Sequence, residues 1–202
     1  MTPKLPKLPK VVAEAVAGVI AEAFDEIAPA QWIVPDGGVR RGLLAAQFEI
    51  LVEHADKHGR VHTLPDKGGE EVEAVAVWYD NTGAEVPEIE RYEERLAKAV
   101  GLRWLARFKA FDAELLAHHP HRPHFHLALL AVRPHLQARG LGSRLLERQH
   151  AWLDERKIPA YLEASSRRTR ELYLRHGYEP LGEPYHLPEN GPPLFPLWRH
   201  PR

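Results

Sequence analysis

The stretch from His124 to Leu146 constrains the fold more than any other part of the chain. HLALLAV is apolar, is bounded by Pro134 and is too short to stand alone as a helix, so residues 124–132 read as a buried strand. Gly140 and Gly142 follow, and the amphipathic run after them predicts a helix from Gly140 to about Lys157. A strand, a two-glycine loop and a helix in that order bring several backbone N–H groups and the positive helix end to one point, a geometry suited to phosphate. A side chain at 140 or 142 would keep the backbone from an anion or forbid the required φ. Two commoner phosphate loops are excluded: no Lys-Ser/Thr follows at P-loop spacing, and no third glycine completes a dinucleotide fingerprint.

Around this unit the elements alternate. Prolines 3, 6 and 9 make residues 1–10 an extended N-terminal arm, and residues 11–202 read as a single domain. A helix is predicted from Val11 through Phe24, turns at Ala28–Ala30 and Pro35–Gly38, and a helix from about Arg40 to His58 carrying Leu44, Phe48, Leu51 and Ala55 on one face. Arg60–Thr63 and Val72–Tyr79 form a hairpin across Asp66–Gly69. Tyr92–Leu116, with Leu96, Val100, Trp104, Phe108, Phe111 and Leu115 at helical steps, reads as the longest helix. Ala160–Ala164 is a short strand and Arg168–His176 a helix stopped by Gly177, before last strands at Tyr178–His186 and Leu194–Trp198. The expected class is α+β with α/β-type layers, a mixed, mostly antiparallel sheet flanked by helices on both faces.

Composition narrows the function. The chain has no cysteine, which removes disulfides, thiolate zinc sites and a cysteine nucleophile and suits a reducing, cytoplasmic setting. Its 202 residues are 44% hydrophobic, enough to bury a core, and the net charge of -1 gives no footprint for a nucleic-acid partner. Residues Arg133–Arg202 nevertheless hold 12 basic against 8 acidic side chains, a balance that favours a small polyanion. No apolar run reaches the ~20 residues of a membrane span; the longest candidate, Val11–Ile27, is broken by Glu14, Glu22, Asp25 and Glu26, so no membrane partner is expected.

Gln137-x-x-Gly140-x-Gly142 resembles the pyrophosphate-binding motif of the GNAT superfamily, the acyl-CoA-dependent N-acetyltransferases. Glu171-Leu-Tyr173-Leu-Arg-His-Gly177-Tyr178 resembles the family's second signature, a tyrosine-bearing helix ended by Gly-Phe/Tyr. HRPHFHLALLAV, RGLGSRLL, IPAYLEASS and YLRHGYE look most like the puromycin N-acetyltransferase group. The resemblance covers residues 124–178 and implies the GNAT fold with acetyl-CoA as co-substrate. It implies a cofactor loop of Gln137, Ala138, Arg139, Gly140, Leu141, Gly142 and Ser143, and main-chain contacts from Leu130, Ala131 and Val132 to pantetheine where two parallel strands splay. Thr169 stands where many members place an asparagine that helps hold the cofactor, a departure from the pattern. The implied reaction is acetyl transfer to a primary amine of a small molecule, antibiotic-like amines included, directly within a ternary complex. A peptide or protein N-acetyltransferase and a non-catalytic CoA-binding module are the alternatives, and a homodimer stays open. Family members usually open with a strand, which the proline-punctuated arm predicts to be missing or reduced to an edge.

Tyr173, at the family's tyrosine position, is the implied acid for the leaving thiolate. Two residues compete as base. Glu163 lies in AYLEA, where a carboxylate is an expensive core resident. His126 lies six residues before Val132, where some members carry a glutamate base, and imidazole titrates near neutrality. A water relay would let either act at a distance. Histidines 118, 119, 121, 124 and 126, and the His54/His58 pair, invite a metal reading; with no HExxH and with Pro120 and Pro123 threading the first group, no metal is expected. Between Glu70 and Glu94 nine acids face one base, and Asp80, Glu85 and Glu88 read either as an acidic rim that concentrates a cationic amine or as a solvated loop and helix start.

Overall fold

Proline and glycine set the helical half of the molecule. The computed structural model describes residues 10–83 and 87–202, with side chains from residue 12; the expected arm, apart from Lys10, and Glu85 lie outside the described residues. Helix α1 spans Lys10–Phe24. Helix α2 spans Ala28–Ile33, where a turn was expected: Pro29 occupies its first turn, the one place where a missing N–H costs nothing. Helix α3 spans Gly37–His58, opened by the Asp36 carboxylate accepting from Gly38 N at 3.0 Å, and at 22 residues it is longer than any other described helix. The run read as the longest helix is two, α4 (Tyr92–Val100) and α5 (Leu102–His118). Gly101 divides them at φ 74°, ψ 159°, a conformation that side chains disfavour, while the apolar period continues through it and hides the break.

The strands are β1 (Gly59–Pro65), β2 (Val72–Asn81), β3 (His124–Val132), β4 (Ala160–Ala164), β5 (Glu179–Pro180), β6 (Tyr185–His186) and β7 (Pro193–Arg199). Helices α6 (Leu141–Glu155) and α7 (Arg167–Arg175) alternate with them. The continuous strand expected over Tyr178–His186 is instead two short pieces, because Pro180 and Pro184 lack the N–H groups a ladder needs. Strand order is β1-β2-β3-β4-β7-β5, with β6 on β7. Among the described residues only β3 and β4 run parallel, so the sheet is mixed and mostly antiparallel, as the sequence implied. One core packs α1 and α3 on one face through Val16, Ile20, Leu44 and Phe48; the other packs α6 and α7 on the opposite face through Leu145, Leu146, Leu153 and Tyr173. The expectation of a missing or reduced first strand falls on residues before α1, outside the described residues.

Two irregularities of β3 create the site. Its register with β2 passes from Val77↔Leu129 to Trp78↔Leu127, leaving Ala128 as a bulge. Side chains reverse faces there: Leu129 and Ala131 join the core under α1 and α3, whereas Leu127 and Phe125 join the core under α6. The reversal puts His126 on the face of Tyr79, its β2 neighbour, with ring centroids 6.1 Å apart. Strand β3 then pairs with β4 over only Phe125↔Ala160 and His126↔Tyr161 and continues to Val132 paired with β2 alone, so its other edge beyond His126 carries backbone groups that β4 does not use.

Candidate active site

A cavity of about 1270 Å³ follows this splay. One end is formed by the start of α6 and the loop before it. After β3 a 3-10 turn over Pro134–Leu136 leads to Gln137, whose amide donates to the Val132 carbonyl at 3.3 Å, closing the loop on its strand. Gly140 caps α6 at φ 81° with no side-chain cap, so the first N–H groups of a 15-residue helix have neither an intrahelical partner nor a capping side chain. The left-handed φ is what requires glycine at 140. At 142 the protein leaves room: a Cβ would meet only Leu130 and Val132, both at 3.8 Å, so any need for glycine there must come from a ligand. Of the expected loop, Gln137, Ala138, Gly140, Leu141, Gly142 and Ser143 line the cavity, as do Leu130, Ala131 and Val132; the Arg139 side chain does not and is exposed. Ser143 is fixed from outside by His176 Nε2 at 2.9 Å.

Thr169 also lines the cavity, but its hydroxyl is already engaged. It and Ser166 form a reciprocal capping box, with Thr169 N donating to Ser166 Oγ and Ser166 N to Thr169 Oγ1, both at 3.1 Å. A threonine at this position therefore starts α7, a role the family comparison of the sequence did not anticipate.

The two rival bases meet. His126 from β3 and Glu163 from β4 are hydrogen-bonded, Nε2 to Oε2, at 3.0 Å. The other Glu163 oxygen accepts from the Tyr161 hydroxyl at 2.8 Å. The Glu163 side chain is only 6% exposed. Burial alone would push its carboxyl up, yet the His126 charge and hydrogen bond, with help from Tyr161, outweigh burial and hold it below the usual carboxylate range. With Nε2–H given to this carboxylate, Nδ1 is the His126 nitrogen left to exchange a proton. An imidazole oriented by a buried, ionised carboxylate is suited to taking up a proton.

The loop after α5 adds two more imidazoles. His124 Nδ1 donates to the Arg122 carbonyl at 2.7 Å, and its Nε2 lies 3.1 Å from His119 Nε2, with Asn81 Nδ2 2.9 Å from the latter. Burial lowers both His119 and His124 to about 4, so both are neutral. Ligand atoms of His119, His126 and Glu163 fall within 4.8 Å of one another, a set able to hold a divalent ion. Sequence spacing concealed this grouping because its carboxylate comes from a different strand. Asp80 reaches the cavity, with Thr82 donating to its carboxylate through N and Oγ1; Glu88 is exposed and does not line it.

Tyr173 on α7 is buried against the cavity, its ring edge-on to Tyr178 with centroids 5.8 Å apart. Burial pushes its phenol up, so it stays protonated at neutral pH. The far wall, between α1, α3 and α5, is apolar through Phe24, Ile27, Leu44, Phe48, Phe111 and Leu115. It also carries polar groups that the sequence did not single out, Gln47, Tyr92 and, on α5, Asp112, and Asp112 accepts from the Tyr92 hydroxyl at 2.9 Å. The available signal was an acid four residues after buried Phe108 and three before Leu115, inside an apolar helical stripe.

Residues 95–180 match the GNAT acetyltransferase domain. The whole chain superposes with a TM-score of 0.69 on a Corynebacterium glutamicum structure described as histone acetyltransferase HPA2 and related acetyltransferase, 28% identical, covering 100% of this chain and 98% of that one. Arylalkylamine N-acetyltransferase 2 from Aedes aegypti superposes with a TM-score of 0.63 at 14% identity, covering 98% of each chain. The Drosophila melanogaster polyamine N-acetyltransferase that forms N-acetylagmatine superposes with a TM-score of 0.60 at 19% identity, covering 96% and 97%. The architecture is the GNAT acyltransferase fold, and the stretch from the middle of α4 to β5 is similar to the GNAT acetyltransferase domain.

Proposed function

We propose that this chain transfers the acetyl group of acetyl-CoA to a primary amine of a small molecule, directly and within a ternary complex. One observation carries the reading: a single cavity joins the uncapped start of α6 to the His126–Glu163 pair and to an apolar chamber beyond it. The residues present suit the co-substrate. The free N–H groups at Leu141–Ser143 suit its pyrophosphate, and the β3 edge that β4 leaves uncovered at Leu130–Val132, with the Val132 carbonyl taken by Gln137, suits the amides of its pantetheine arm. Acetyl-CoA supplies a thioester whose C–S bond breaks as the C–N bond of the amide forms.

The chain's residues then manage two protons. An alkylamine of pKa ~10.4 is only ~0.1% neutral at pH 7.4, a deficit of about 4 kcal/mol that a base must offset. Nδ1 of His126 takes one proton from the ammonium so that the neutral amine can attack, Glu163 holds the imidazole in orientation and stabilises its charge, and the second proton, lost from the nitrogen of the tetrahedral adduct, replaces the one that Tyr173 gives up. Tyr173, kept protonated by burial, gives a proton to the departing sulfur, whose thiol of ordinary pKa ~8.5 is the stable product. The apolar walls of the chamber suit the hydrocarbon part of a small acceptor, in keeping with the resemblance to the puromycin N-acetyltransferase group.

The test is thiol release from acetyl-CoA, followed with a chromogenic thiol reagent, across small primary amines and short peptides. The expected result is amine-dependent release with small amines. Release with peptides alone, or none with any acceptor, would refute the reading.

A further inference from the structure

The apolar chamber holds one charge that the protein leaves uncompensated. Asp112 lies on its wall, and among the described residues no lysine, arginine or histidine comes within ion-pair distance of it. Among the described residues its hydrogen-bond donor is Tyr92, whose hydroxyl accepts in turn from Gln47 at 3.5 Å. Burial pushes the Asp112 carboxyl up to about 6, so at neutral pH most of it is still ionised. Burying an anion without a cation is costly, and a carboxylate needed only to join α4 to α5 could be replaced by a neutral amide. A charge kept in a substrate-sized cavity is explained by a cation arriving with the ligand.

The position relative to the His126–Glu163 pair defines that ligand. Asp112 acts electrostatically on Tyr79, whose hydroxyl is tied back to the Leu51 carbonyl at 3.3 Å. The Tyr79 ring in turn lies 6.1 Å from the His126 ring, so a single aromatic side chain spans the interval between base and carboxylate. Tyr79, Phe111 and Leu115 line the same cavity and offer apolar surface to an alkyl chain.

Resting on the activity proposed above, we propose that Asp112 is a second cation subsite and that the preferred acceptor is a dibasic amine, a diamine or polyamine. Its far ammonium pairs with Asp112, while its near nitrogen meets His126 and receives the acetyl group. Only the near nitrogen loses a proton; the far one stays charged throughout and supplies binding alone.

The test compares α,ω-diamines from 1,3-diaminopropane to 1,6-diaminohexane with alkyl monoamines of equal length, using the full chain and saturating acetyl-CoA. A charge-assisted hydrogen bond converts to a preference of about 10–100-fold in kcat/KM for the best diamine, expressed mainly in KM. Asp112→Asn, which keeps the shape and an acceptor for Tyr92, should bring the diamine-to-monoamine ratio close to one. Asp112→Glu should keep the preference and move the optimum to a shorter diamine, a shift that a purely structural role would not produce. Equal kcat/KM for the two series, or an unchanged ratio in Asp112→Asn, overturns the subsite and leaves the acetyltransferase reading intact. If neither series is acetylated while acetyl-CoA still binds, the proposed activity falls and the subsite falls with it.

Discussion

Replacing Asp154 with asparagine tests how the C-terminal ends of α6 and α7 are held to β7. Asp154, near the end of α6, binds Arg199 of β7 through both oxygens at 2.7 Å and accepts from Arg202 N at 2.9 Å. Arg199 is only 3% exposed and also donates to the His176 carbonyl, so it ties the end of α7 to the same anchor. The Arg199 hydrogen bonds, followed by that of the Arg202 backbone, pull the Asp154 carboxyl down from 3.8 to about 2. A depressed carboxylate contributes stability above its unfolded pKa and loses it as the pH falls through the folded value. Allowing for screening at its solvent-facing edge, this contribution is about 2 kcal/mol, present above about pH 4 and gone near pH 2. Leaving the buried guanidinium without its anion raises the cost towards about 3 kcal/mol, or about 6–12 °C in Tm for a chain of this size. Urea titrations of both proteins at pH 7.5, 4 and 2.5 provide the assay, with a gap that narrows between the last two. Equal stability at pH 7.5, or a gap that persists undiminished at pH 2.5, would refute the account of this pair.

Other predictions concern the chemistry. Glu163→Gln removes the charge that orients His126, and loss of one charge-assisted hydrogen bond should lower kcat by about 10–100-fold with acetyl-CoA affinity retained; an unchanged kcat would remove Glu163 from the proton path. Tyr173→Phe should lower turnover while acetyl-CoA binding stays within twofold, and full activity would show that the sulfur draws its proton elsewhere. Exhaustive dialysis against a chelator should leave amine acetylation unchanged; lost activity restored by a divalent ion would make His119, His126 and Glu163 a metal centre. Ser166→Ala should cost about 1 kcal/mol through the lost cap of α7, read as a lower urea midpoint with unchanged m; no shift would discount the capping box.

Much of the fold was legible wherever the local pattern and the tertiary structure agree. Strands β3 and β4, the hairpin of β1 and β2, and the two-glycine start of α6 all carry their signals within a few residues. The failures have a common form. The break at Gly101 lies inside an unbroken apolar period, and Pro29 marks a helix start as readily as a turn. The bulge at Ala128 leaves no trace in composition, yet it decides which face His126 occupies. The candidate site divides in the same way. The loop from Gln137 to Ser143 is contiguous and could be read directly. His126 and Glu163 could be named singly, but their pairing depends on the parallel contact of strands whose partners lie 37 positions apart. Asp112 escaped because an acid in a helix is unremarkable until the helix is known to wall a cavity.

The central claim is that the cavity at the start of α6 binds acetyl-CoA, and calorimetric titration tests it most directly. The wild type should bind acetyl-CoA at one site per chain. Gly142→Trp should abolish the heat of binding without unfolding the protein, since the residues around position 142 leave room for a Cβ and the indole would fill the space in front of the free N–H groups. No binding to the wild type, or undiminished binding to a folded Gly142→Trp protein, would contradict the account.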